Sequence, residues 1–286
     1  MAQKRKNYTA TKKGKVKKGT SLPKIVGYSL LGLLIFILAF VAFQFRDGFL
    51  YYLGFKSNHP VESLSKEDRK INDIRIYEVL SAHTDTIFGF DVSEYQGVID
   101  WENLGKVEDT FSLSFVFIRA TAGKDRIDSK FSSNWEEAKK KGLIRGAYHY
   151  YRPNENSIKQ ADNFIKTVTL KQGDFPPVLD IEQLPKTQSI DSLKVGLKRW
   201  LTKIEKHYNV KPIIYSGESY YTDFLKKEFS EYPFWIANYN FWRKNPDENW
   251  LLWQFTEKAQ VEGVKGMIDL NVFNGDFVKL ITITNQ

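Results

Sequence analysis

The sequence predicts an α/β protein: a modified TIM-like (β/α) barrel, with some late helices reduced or missing, preceded by one transmembrane helix. Three observations carry this. From Phe88 onward, strand-like apolar runs alternate with helical patterns. The strand runs number eight, and the helical segments between them thin out toward the C-terminus. Ahead of them, residues 25 to 45 form 21 consecutive positions without a charge, behind a strongly basic N-terminus.

Residues 1 to 24 hold nine Lys or Arg and no Asp or Glu, and read as a basic cytoplasmic tail. They account for the whole formal charge of +8, because the rest of the chain has 33 basic against 34 acidic residues, a net of −1. A near-neutral remainder gives no support to a phosphate-binding groove, so nucleic acid is not an expected partner. The uncharged run is long enough for a bilayer core of roughly 30 Å. A cleaved signal peptide has a shorter apolar region and a small-residue cleavage site, and no clean site follows here. A buried core helix leaves the flanking cations unexplained. Those cations hold the N-terminus in the cytoplasm and send the chain after Phe45 across the bilayer. The expected location is therefore the cell membrane, single-pass, with the folded domain extracytoplasmic.

Residues 46–86 mix charge with short apolar pieces and read as a juxtamembrane spacer, with some helix around Lys66 to Leu80. The folded domain is expected over 87–286. With no cysteine there is no disulfide or thiolate site, and His59, His83, His149 and His207 lack paired zinc spacing. No metal or cofactor is expected.

Within the domain, "FGFDV" opens as a short buried strand, and "FVFIRATAG" is an apolar run of the kind found in parallel sheets. "SNWEEAKKKG" is helical with a glycine stop at Gly142, "LIRGAYHYY" is the third strand, and "SIKQADNFIKTV" the next helix. "FPPVLDIE" is the fourth strand. Leu193, Leu197, Trp200, Leu201, Ile204 and Tyr208 then recur at helical spacing. "KPIIYSG", "PFWIANY", "WLLWQFT" and "IDLNVFNG" complete the eight, with less helix between them. A doubly wound open sheet is the alternative, but no G-x-G-x-x-G follows the first strand.

Acids stand at three of these strands, where such a barrel builds its active site. Asp91 belongs to the first, Asp180 and Glu182 to the fourth, and Asp269 to the last. Residues i and i+2 of a strand face one side, so Asp180 and Glu182 point together into the barrel mouth and Ile181 points away. Neighbouring carboxylates oppose each other's ionisation. A protonated acid beside an ionised one is the arrangement glycosidic cleavage requires. Aromatics near the strand ends (Tyr148, Tyr150, Tyr151, Trp235, Tyr239, Trp253) suit the apolar faces of sugars, although any one of them alone is more often a core residue, since aromatics fill barrels too. Tyr148 is the first candidate to hydrogen-bond reacting groups, while His149 faces the other way and is structural. Ser216 lacks the surroundings of a nucleophilic triad.

The segments "FDVSEYQGVIDW", "FVFIRATAG", "GLIRGAYHYYRP", "PPVLDIE", "PIIYSG", "FWIANY" and "LWQFTEKAQVEGVKGMIDLNVF" resemble, in order, the motifs of glycoside hydrolase family 25, the Chalaropsis-type lysozymes or N-acetylmuramidases. The resemblance spans about residues 86 to 280. It implies a modified β/α barrel and hydrolysis of the β-1,4 bond between N-acetylmuramic acid and N-acetylglucosamine in peptidoglycan. It further implies Glu182 as general acid, Asp180 as the group assisting the substrate 2-acetamido group, and Asp91 and Asp269 as the remaining active-site acids. Tyr148 matches the family's active-site tyrosine, and Tyr95 stands where the family often has Trp. Ala122 stands where it often has Glu. The expected partners are peptidoglycan glycan strands and, through residues 25–45, the lipid bilayer, with a monomeric catalytic domain. A non-catalytic glycan-binding role, a hydrolase of chitin-like polymers, and retaining or inverting stereochemistry stay open at this level.

Overall fold

The computed structural model describes residue 28, residues 31–36 and residues 66–284. Residue 28 and residues 31–36 are helical and belong to a unit separate from the one that begins at Ser57. The rest of the span expected over 25–45 lies outside the described residues. Among the described residues, no helix is long and apolar enough to cross a membrane.

All eight expected strands form. In chain order they are β1 (Ile87–Val92), β2 (Phe115–Ala122), β4 (Ile144–Tyr150), β5 (Val178–Asp180), β6 (Ile213–Gly217), β7 (Phe234–Ala237), β8 (Trp250–Ala259) and β9 (Ile268–Phe273). A two-residue strand, β3 (Arg126–Ile127), adds to the edge of β2. The order β1-β9-β8-β7-β6-β5-β4-β2 closes through pairing of β1 with β2. One strand departs from an all-parallel arrangement: β9 runs antiparallel to both β1 and β8. Only residues 260–267 join β8 to β9, fewer than the roughly twelve a parallel crossover needs, so the chain returns antiparallel.

Helices α2 (Phe131–Lys140), α3 (Ser157–Thr167) and α4 (Ile190–Tyr208) cover the early strands. Their ends follow from local chemistry. Asn156 and Ser189 cap the starts of α3 and α4 through their side-chain oxygens. Gly142, just past α2, takes φ 81°, and Asn209, just past α4, takes φ 56°, both in the left-handed region that ends helices. After β6 there remains only a short turn, α5 (Glu218–Tyr220), continued by a single wide turn over Tyr221–Leu225. A last helix, α6 (Phe277–Thr284), follows β9.

Alternation along the strands divides the apolar residues between two cores. Phe90, Val116, Ile118, Leu179, Ile181, Ile214 and Ile236 face the helices. Phe115, Phe117, Val178, Ile213, Trp235, Leu252 and Phe273 fill the barrel. Gly89 and Gly146 make that filling possible, since a Cβ at either would lie 2.2 or 2.1 Å from the ring of Phe115 or Phe117.

The segment expected as a spacer is partly built into this unit. Helix α1 (Lys66–Ala82) lies against the barrel, with Ile76, Val79 and Leu80 in the outer core. The packed unit therefore starts ahead of residue 87.

Candidate active site

Asp91 ends the interior face of β1, and Asp269 is its direct cross-strand partner on β9. Asp269 lies at the start of its strand, yet reversal of β9 brings it to the same barrel end as the C-terminal ends of the parallel strands. The mouth thus gathers acids from β1, β5 and β9. Asp180 closes β5 on the interior face, two residues after buried Val178. Ile181 is fully buried among the outer residues, as the alternation requires, and Ser216 donates to its carbonyl at 2.6 Å. Glu182 follows on the mouth side and is partly exposed.

The four acids form one electrostatic cluster. Burial raises the Asp91 carboxyl to about 6, against the opposing effect of amide donors from Asn271 (2.9 Å) and Gln254 (2.8 Å) on its Oδ2. Burial, then the charge of Asp91, raises Asp269 well above the carboxylate range, and the two carboxyls hydrogen-bond. Asp269 is thus the proton holder of the pair, and Asp91 its acceptor. The charge of Glu182 acts on Asp91, Asp269, Tyr215 and Tyr239. That of Asp180 acts on Tyr148 and Tyr215. Burial, reinforced by these acids, keeps the phenols of Tyr148, Tyr215 and Tyr239 protonated well above their ordinary range. The mouth therefore holds phenol O–H groups that can donate beside carboxylates that can accept.

Gln254, Asn271 and Tyr215 also belong to this floor, although the sequence reading did not select them. Tyr215 Oη donates to Gln254 Oε1 at 2.8 Å, Tyr239 donates to the same oxygen, and Trp235 Nε1 donates to Asn271 Oδ1 at 2.8 Å. The signal was present in the D-x-N of "IDLNVF" and in the Gln of "WLLWQF", polar residues at interior positions of apolar strands.

Two aromatic candidates need correction. Trp253 is fully buried on the outer face of β8, donating from Nε1 to the Asn238 carbonyl, because it lies between interior-facing Leu252 and Gln254. Trp235 does face inward, but at 2% exposure it is stacked on Phe117 with ring centroids 4.5 Å apart. Neither ring offers a free face to a ligand. Tyr239 and Tyr95 do, at 41% and 76% exposure. The ring of Tyr95 lies 4.6 Å from the Arg119 guanidinium, which is itself paired with Glu94 (3.0 Å) and Asp128 (2.9 Å). Ala122, at the end of β2, supplies no carboxylate to the cleft. His149 is buried behind the site, 5.5 Å from the Trp200 ring and hydrogen-bonded to Thr121, and burial lowers it to about 4.

The model of the family described as Glycosyl hydrolases family 25 matches residues 90–264. An uncharacterized protein named YegX from Escherichia coli O6:H1 is 40% identical over 243 residues, covering 84% of this chain and 82% of that protein. Lysozyme M1 of Streptomyces globisporus is 32% identical over 220 residues, covering 72% of this chain and 74% of its own length. Among solved structures, the bacterial lysozyme from Streptomyces coelicolor superposes with a TM-score of 0.62 at 29% identity, covering 71% of this chain and 98% of that one.

Proposed function

Since the chain belongs to glycosyl hydrolase family 25 and is a glycoside hydrolase, we propose that it cleaves the β-1,4 bond between N-acetylmuramic acid and N-acetylglucosamine in peptidoglycan. The observation that supports this most is the convergence of Asp91, Asp180, Glu182 and Asp269 on one barrel mouth, among neutral phenols. Glu182 is the general acid. It gives its proton to the glycosidic oxygen as the bond to the anomeric carbon breaks. Asp180 holds the substrate's 2-acetamido group, whose carbonyl oxygen attacks that carbon from the other side. Water then opens the resulting ring and returns a proton to Glu182. Asp91 and Asp269 fix the floor with Gln254 and Asn271, and Tyr148 donates to the substrate. Tyr95 and Tyr239 contact sugar faces at the rim.

The uncharged residues 25–45, behind nine cations, anchor the enzyme in the cell membrane with its N-terminus in the cytoplasm and the barrel outside.

The direct test is release of reducing muramic acid ends from purified peptidoglycan by the full chain in detergent. Glu182→Gln keeps the shape but cannot supply the proton, and is expected to lower kcat by about 10²–10⁴-fold, the contribution of one acid–base group. Wild type that releases no reducing ends from any peptidoglycan, or that cuts chitin oligomers in preference, overturns the assignment.

A further inference from the structure

Helix α1 lies outside residues 90–264, the segment that matches the family, yet its contacts reach the loop that follows β7. Arg75 is a buried cation, 7% exposed, whose fork ends on two backbone carbonyls. Nη1 donates to Phe255 of β8 at 2.7 Å, and Nη2 donates to Asn240 in the β7–β8 loop at 2.9 Å. A buried charge costs free energy unless it is hydrogen-bonded, and here the bonds tie one loop to one strand. Two more residues of α1 or its end reach the same loop. His83 Nε2 bonds the Lys244 carbonyl at 2.8 Å, and Glu78 pairs with Lys244 Nζ at 3.4 Å. On the strand side, Asn72 donates to the Lys258 carbonyl at 2.9 Å.

The loop so held carries Tyr239, whose hydroxyl bonds Gln254 at the acid cluster, and Trp242, which is 79% exposed. Asn240 itself shapes the turn, since its side chain accepts from Trp242 N at 3.0 Å. The carbonyl and the side chain of one residue thus link Arg75 to the backbone that carries the exposed indole.

We propose that Arg75 is a positioning residue for glycan binding: α1 straps the β7–β8 loop so that Trp242 stands beside Tyr239 as a stacking surface for sugars beyond the cleaved bond. This rests on the muramidase reading. It also makes residues 66–82 part of the substrate site.

The test uses the full chain in detergent with soluble, uncrosslinked glycan strands, comparing wild type, Arg75→Lys, Trp242→Ala and the double variant. KM and kcat are measured, and Kd is followed by tryptophan fluorescence. Lysine keeps the charge but cannot donate as a fork to both carbonyls. Each single variant is expected to raise KM and Kd by about three- to tenfold, the value of one aromatic contact, with kcat changing less. Because Arg75 acts through the loop, the double variant should bind no more weakly than Trp242→Ala alone. Unchanged Kd in Arg75→Lys, or effects that multiply in the double variant, overturn the proposal. If Arg75→Lys fails to fold, His83→Ala removes a bond to the loop and an edge contact with Trp253 while leaving the buried cation in place, and its Kd decides in the same way. Wild type that binds strands without cutting them sinks the muramidase reading while the Kd ratios still decide this one, and wild type that neither binds nor cuts overturns both.

Discussion

Asp91 accepts two amide donors on one oxygen and is still raised to about 6, so burial outweighs its hydrogen bonds. The consequence for stability has a definite sign. In the unfolded chain this group loses its proton near 3.9, and in the folded chain near 6, so between those values the native state binds more protons. Stability from this group is full below about 4 and falls as pH rises through 6. Asp269, raised further, extends the fall to higher pH. Asp269→Asn keeps an N–H donor for Asp91 and removes the second titrating carboxyl. Denaturant unfolding should show the variant gaining on wild type steadily from pH 4 to 7, and parallel curves would show that the pair is not the source. The D-x-E of "PPVLDIE" was legible because two acids in an apolar strand stand out, and its alternation is realised by buried Ile181. The proton-sharing pair was not legible. Asp91 and Asp269 are 178 residues apart, and only the register of β1 against β9 makes them neighbours.

Helix α1 shows at the scale of an element why part of the fold stayed hidden in the sequence. Its exposed positions include Ile71, Ile74 and Tyr77, while Arg75 is buried. Apolar residues outside and a cation inside blur the amphipathic stripe that announces α3 and α4, so the sequence shows helix around Lys66 to Leu80 but not the face that packs on the barrel. Its buried face nevertheless joins the outer core through Ile76, Val79 and Leu80. Leu80→Ala is expected to cost about 2–5 kcal/mol, the range for a large-to-small change in a packed core. Ile71→Ala, at an exposed position, should cost less than about 0.5 kcal/mol. Equal, small effects in thermal unfolding would mean that α1 is not part of the cooperative unit. The strands were read correctly because each is a dense apolar run bounded by turns. The direction of β9 is not legible because strand patterning carries no sign of orientation, which is set by the length of the connection before it.

At the scale of the whole molecule, the distribution of charge bears on where the enzyme works. The nine cations of residues 1–24 and the net of −1 over the remainder separate a basic end from a nearly neutral catalytic unit, with 21 uncharged residues beginning at Ile25. A polybasic segment on the surface of an anionic leaflet is held by charge and is released by salt or alkali, whereas a spanning helix is held by its apolar length and is not. The two modes therefore separate in one fractionation. Full-length protein should stay with membranes through both high salt and an alkaline carbonate wash, and protein lacking residues 25–45 should be released. The N-terminal residue of the mature protein distinguishes the anchor from a cleaved leader, since cleavage would start the chain beyond Phe45. Protease added outside intact cells should remove the barrel and spare the basic end. Release of the full-length chain by carbonate, or protection of the barrel from that protease, would refute an external, membrane-anchored enzyme, while leaving the chemistry of the acid cluster to be judged by its own assay.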